Sequence, residues 1–187
     1  MSQFISIFDM LKIGVGPSSS HTLGPWRAAQ QWISKLKESS CFLLVDEIKV
    51  DLYGSLSLTG RGHATDSAIL LGLSGADPEF IPIEEIDTII AAVKDTSLLY
   101  LNNEKMISFS IDKIQFNKEF LPFNPNGMTF TAFQNKELIS KETYYSIGGG
   151  FIIQEDDSLV DEIEVTKQNF PYPINRARQL ERYCEQE

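Results

Sequence analysis

The chain has two histidines, and both sit where a loop of small residues runs into a helical segment. The first lies in Gly14-Val15-Gly16-Pro17-Ser18-Ser19-Ser20-His21-Thr22. Glycines let the backbone turn tightly, and the first turn of any helix leaves N–H groups without intrahelical acceptors. With three consecutive hydroxyls and the positive end of the helix dipole, the natural guest is a carboxylate or a phosphate. One Ser or Thr suffices to cap a helix. Three in a row followed by His exceed that need, which favours an anion site over a bare cap. The second histidine lies in Gly54-Ser55-Leu56-Ser57-Leu58-Thr59-Gly60-Arg61-Gly62-His63-Ala64-Thr65-Asp66. Here a strand ends, Arg61 offers a fixed positive charge, and His63 offers a side chain that exchanges protons near neutral pH. Taken alone, Arg61, His63 and Asp66 read as a solvated turn with a surface ion pair.

Rival chemistries fail on spacing. There is no Gly-x-x-x-x-Gly-Lys-Ser/Thr loop, and Gly14-Val15-Gly16 lacks the third glycine of a dinucleotide fingerprint. There is no Gly-x-Ser-x-Gly elbow, and the adjacent Ser20 and His21 are expected to point apart rather than pair as nucleophile and base. The two cysteines, Cys41 and Cys184, are too distant for a disulfide framework, and with two histidines they lack zinc spacing.

The elements that must position these loops follow from periodicity. Trp26, Ala29, Trp32, Ile33 and Leu36 recur at helical spacing over 25–37, and Trp26 and Trp32 read as core. Residues 44–53 alternate as a half-buried strand. Gly60-Arg61-Gly62 opens a second helix that stops at Gly75, and Pro82 starts a third with Glu84 and Glu85 in its first turn. From residue 97 the period is two: a strand through Ile107, Phe109 and Ile111, a phase break before Ile114, an Asn126-Gly127 turn signal ahead of Met128, and a long run over 138–153 broken by Gly148-Gly149-Gly150. That glycine triplet reads as a bulge or a close backbone approach. Helices followed by strands predict an α+β fold, an antiparallel or mixed sheet with helices on one side. The core domain is expected over 1–167. Residues 168–187 then form a link through Pro171-Tyr172-Pro173 and the start of a helix, as though a further domain followed.

The chain has 187 residues, 42% of them hydrophobic and 22% charged, which is ordinary globular usage. Lys plus Arg number 16 against 26 Asp plus Glu, a net charge of −10. That field repels phosphate backbones and anionic lipid, so no nucleic-acid or membrane partner is expected. The first residues lack a secretory pattern and no apolar run approaches the roughly 20 residues of a membrane span, so the expected compartment is the cytoplasm.

At these residues the sequence resembles the N-terminal, or β, domain of the iron–sulfur-dependent L-serine dehydratases. The matching stretches are residues 6–22, Gly54 to Asp66, Asn124-Pro125-Asn126-Gly127-Met128, and Tyr144-Tyr145-Ser146-Ile147-Gly148-Gly149-Gly150-Phe151. The resemblance implies conversion of L-serine to pyruvate and ammonia, with a [4Fe–4S] cluster held by a separate α domain. Cys41 and Cys184 are not candidates for its ligands, so no cofactor is expected in this chain, which by itself is expected to be inactive. It also implies a fold like the allosteric substrate-binding domain of some phosphoglycerate dehydrogenases. Carried over, Ser18, Ser19, Ser20 and Thr22 hold the serine carboxylate, Arg61, Asn126 and Gly127 line the site, and His21 and His63 are the proton-handling candidates. One departure stands out: the family often has His before Pro-Asn-Gly-Met, where this chain has Asn124, which shuttles no proton. The expected partners are L-serine, the α domain and a second copy in a homodimer. The alternative is a serine-binding regulatory or dimerisation module, the latter using a β edge or the Trp-bearing helix.

Overall fold

The computed structural model describes residues 14–155, together with Arg178 and residues 182–184, which are helical. Residues 14–155 fall within one compact unit, and every element below belongs to it. The expected division at 167/168, the proline link at 171–173 and most of the terminal helix lie outside the described residues.

The fold is α+β. Five strands form a mixed sheet in the order β4-β1-β5-β6-β7: β1 is Glu47–Leu52, β4 Ile114–Phe116, β5 Gly127–Gln134, β6 Glu137–Gly148 and β7 Phe151–Gln154. Only β4 runs parallel to β1; the other pairs are antiparallel. A separate hairpin pairs β2, Leu98–Leu101, with β3, Lys105–Ser108. Among residues 14–155 there are four α-helices: α1 Gly24–Glu38, α2 Gly54–Thr59, α3 Thr65–Leu73 and α4 Ile83–Thr96. A parallel β1/β4 pair needs a long crossover, and α2, α3, α4 and the hairpin supply it.

Ile48, Val50 and Leu52 of β1 join Phe130 of β5 and Tyr144 of β6 in one buried cluster with Trp32, Ile33 and Leu36 of α1. The Trp32 and Phe130 rings stack at 5.2 Å between centroids. Trp26 anchors a second cluster with Ala68 and Leu71 of α3, and its Nε1–H donates to the Ala76 carbonyl at 2.8 Å. Both tryptophans are thus core, as the helical spacing predicts. Helices α1 and α3 cross closely: a Cβ at Gly72 would overlap the Trp26 carbonyl and lie 2.8 Å from Ala29 Cβ.

Three expectations need correction. Residues 54–59 form a short helix where the sequence suggested only a loop. The strand expected through Ile111 ends at Ser108, because Ile111–Lys113 turns as a 3₁₀ segment before β4. Asn126-Gly127 makes no hairpin: the β5–β6 turn is Asn135-Lys136, both at positive φ of 50° and 69°. Gly127 is glycine for space instead, since a Cβ there would lie 2.7 Å from Leu121 Cδ1 and 3.3 Å from the Tyr145 ring. Gly148, Gly149 and Gly150 all have positive φ in the β6–β7 turn, and a Cβ at Gly150 would press on Leu23.

Candidate functional site

The two histidine loops meet at the tip of α1. Ser18 is extended and its Oγ accepts from the His21 N–H at 3.1 Å. A π turn, Ser19–Leu23, then runs straight into α1, with the Thr22 and Leu23 N–H groups both donating to the Ser18 carbonyl. Such turns recur at functional positions. Among the described residues none accepts from the Ser19 or Ser20 N–H, which leaves two donors beside three hydroxyls at the helix tip.

From β1 the chain enters α2 through Gly54, at φ +52°. A Cβ there would overlap the Pro125 carbonyl oxygen and lie 2.9 Å from Phe120. That close approach is held by hydrogen bonds from Gly54 N–H to the Glu119 carbonyl and from Ser55 N–H to the Pro125 carbonyl. Six residues later α2 ends, a 3₁₀ turn carries Gly60–His63, and Ala64 takes a left-handed conformation at φ 54° before α3.

A reciprocal latch joins the two loops. Thr22 Oγ1 donates to the His63 carbonyl at 2.8 Å, and Thr65 Oγ1 donates to the His21 carbonyl at 2.6 Å. Both threonines are buried. The latch leaves the imidazoles side by side, centroids 4.9 Å apart and tilted by 38°.

The rings have different partners. His63 Nδ1 lies 2.9 Å from the Thr59 carbonyl. A carbonyl only accepts, so Nδ1 carries the proton and the neutral ring keeps its lone pair on Nε2. His21 is bonded at both ends: Nδ1 to Ser20 Oγ and Nε2 to Ser55 Oγ, each at 2.9 Å. Burial pushes the His21 pKa below the usual histidine value and the neighbouring His63 lowers it further, against a hydrogen bond with the Ser55 backbone that raises it. His21 is therefore a neutral, fully bonded ring at pH 7.

Of the residues singled out by sequence, the structure brings Ser18, Ser19, Ser20, His21, Thr22 and His63 together. Thr22 spends its hydroxyl hydrogen on the latch. Arg61 lies elsewhere, its Cζ 4.8 Å over the Phe116 ring, while Asp66 caps its own helix by accepting from Ser67 N–H, so no Arg61–Asp66 pair forms. Asn124 Oδ1 accepts from Asn126 N–H, and Asn126 Nδ2 donates to the Ser146 carbonyl. Asn126 Oδ1 and Ser146 Oγ are buried without partners. Sequence reasoning missed Ser55, Thr59 and Thr65. Only the Gly54-Ser55 step after a strand hinted at the first.

The comparisons decide the family. The model of the serine dehydratase beta chain family matches residues 6–157. The chain belongs to that family. It is 44% identical over 183 residues to an L-serine dehydratase of Haemophilus influenzae, covering 96% of this chain and 40% of that protein. It is 43% identical over 184 residues to the L-serine dehydratase TdcG of Escherichia coli, covering 97% and 40%. An L-serine dehydratase of Streptomyces coelicolor is 38% identical over 180 residues, covering 94% and 39%. The chain thus spans about 40% of the length of these relatives. Among the described residues no three His, Cys, Asp or Glu side chains converge as metal ligands, and Cys41 packs against the core with its Sγ–H donating to the Ser39 carbonyl at 3.5 Å. These residues do not fit an iron–sulfur cluster. No described helix is long and apolar enough to cross a membrane.

Proposed function

We propose that this chain is the β portion of an L-serine ammonia-lyase, whose active site it completes against a separate α portion. The observation that carries this reading is the pair of imidazoles at 4.9 Å beside a helix tip with two N–H donors that lack an acceptor among the described residues. On this reading the serine carboxylate takes the Ser19 and Ser20 N–H groups and the neighbouring hydroxyls, in the positive field of α1. His63 is the base: its Nδ1–H is tied to Thr59, and its Nε2 lone pair takes the α-proton. The β-hydroxyl leaves with a proton returned by the protonated His63, so that it departs as water and the base is regenerated. The resulting enamine tautomerises to an imine, which water hydrolyses to pyruvate and ammonia. His21, neutral and bonded at both ends, orients the pocket without adding a positive charge next to His63. The cluster that the family resemblance implies would be held by the α portion, where it would act as a Lewis acid.

The test compares L-serine with L-serinamide in the assembled enzyme, following release of ammonia. Loss of the carboxylate charge removes charge-assisted hydrogen bonds of about 1.5–3 kcal/mol each, so kcat/KM falls by about tenfold or more per bond. Equal kcat/KM for the two compounds would remove the carboxylate role. Titration of the 187-residue chain alone separates the regulatory alternative: saturable binding of L-serine over D-serine and sulfate favours it, and its absence favours a site that needs both portions.

A further inference from the structure

His21 sits inside a chain of hydroxyls that the backbone enters at one point. The His21 N–H donates to Ser18 Oγ at 3.1 Å, so Ser18 has its oxygen engaged and its hydrogen left to send on. The next hydroxyl is Ser20 Oγ, at 3.4 Å. If Ser18 donates there, the Ser20 hydrogen turns to His21 Nδ1 at 2.9 Å, which must then be a lone pair. A neutral imidazole has one N–H and one acceptor. The proton therefore sits on Nε2 and is donated to Ser55 Oγ at 2.9 Å.

We infer that Ser18, Ser20, His21 and Ser55 form one directed hydrogen-bond chain that fixes His21 as the Nε2–H tautomer and ends on the Ser55 hydroxyl. Ser55 is thereby a positioning residue that no sequence signal assigned. Its oxygen is filled by His21, and its own hydrogen has no acceptor among the described residues, so it is the one side-chain donor the chain sends outward. The direction matters because the adjacent histidine is fixed the opposite way, Nδ1–H on the Thr59 carbonyl. Helix α2 holds both arrangements. Ser55 is in its first turn, Thr59 ends it, and Thr59 Oγ1 donates back to the Ser55 carbonyl at 3.0 Å. Two imidazoles at 4.9 Å thus carry opposite tautomers, one with its lone pair turned inward to serine and one with its lone pair free. What this does for catalysis rests on the function proposed above; the tautomers themselves do not.

The experiment is long-range ¹H–¹⁵N correlation of the two histidine rings in the 187-residue chain, at a pH well above the histidine range. The expected spectrum shows one ring of each tautomer, with His21 Nε2–H and His63 Nδ1–H, assigned by His21→Gln. In Ser20→Ala the His21 ring loses its single tautomer and His63 is unchanged. In Ser55→Ala His21 stays Nε2–H, because Ser20 still fills Nδ1. A wild-type His21 found as Nδ1–H overturns the inference. So does a reversed pattern in which Ser55→Ala abolishes the preference and Ser20→Ala preserves it. Neither result depends on turnover, so failure of the proposed function leaves this test standing.

Discussion

Replacing Gly54 by Ala should loosen both histidines at once. Gly54 sits at φ +52°, where a non-glycine residue is disfavoured by about 1–2 kcal/mol. The added Cβ also meets the Pro125 carbonyl oxygen and the Phe120 ring, and forcing a methyl into packed space costs about 1–3 kcal/mol. The sum is about 2–5 kcal/mol, a large share of the roughly 5–15 kcal/mol that holds a domain folded. Gly62 is the matched control, eight residues on in the same loop. A Cβ there meets nothing within 4 Å and its φ is not positive, so Gly62→Ala should be neutral or stabilising by up to about 1 kcal/mol. Urea unfolding followed by tryptophan fluorescence reads both variants, because Trp26 and Trp32 are each buried in the unit that carries the site. Relief of the clash requires α2 to shift, so the cross-relaxation between the two imidazoles should also weaken in Gly54→Ala. Equal midpoints for the two variants, or a loss below about 1 kcal/mol for Gly54→Ala, would refute the close-approach reasoning.

Further outcomes follow from the same geometry. The His21 pKa is lowered on folding from its ordinary 6.5, so below that value the unfolded chain binds the proton more readily than the folded one. This contribution is fully present above pH 6.5 and is lost as pH falls through the folded pKa. His21→Gln should flatten that part of the stability–pH curve, and an unchanged curve would contradict the shift. Ala64, left-handed at φ 54°, should accept Gly without loss, whereas the β-branched Ala64→Val should lose about 1–3 kcal/mol by urea midpoint. Gly72→Ala should lose about 1–3 kcal/mol because of the Trp26 carbonyl, although helix propensity alone predicts a gain of about 1 kcal/mol. A gain would mean that α1 and α3 separate freely.

Much of this architecture was legible in the pattern of apolar residues. Trp26, Trp32, Ile33 and Leu36 announce α1, and Ile48, Val50 and Leu52 announce β1, because a single buried face imposes its period on the sequence. Local turn chemistry was less legible. Asn126-Gly127 looks like a turn signal, yet its glycine answers to Leu121, six residues before it, and to Tyr145 across the β5–β6 pair. Asn135-Lys136 carries the true turn with no glycine at all. At the site, the serine triplet and both histidines stood out as residue types in excess of capping needs. Their partners did not. Ser55, Thr59 and Thr65 act through single hydrogen bonds to residues on another segment or through a backbone carbonyl, and such contacts leave no periodic trace.

On the proposed function, His63 supplies the base. In the assembled dehydratase, His63→Ala should lower kcat for pyruvate formation by about 10²–10⁴-fold. KM for L-serine should change little, because the proposed carboxylate donors are at the tip of α1. Added imidazole should then restore part of the lost turnover, with a pH profile that follows the free imidazole. Turnover within a few-fold of the unsubstituted enzyme would contradict the claim, as would a large loss that appears in KM alone.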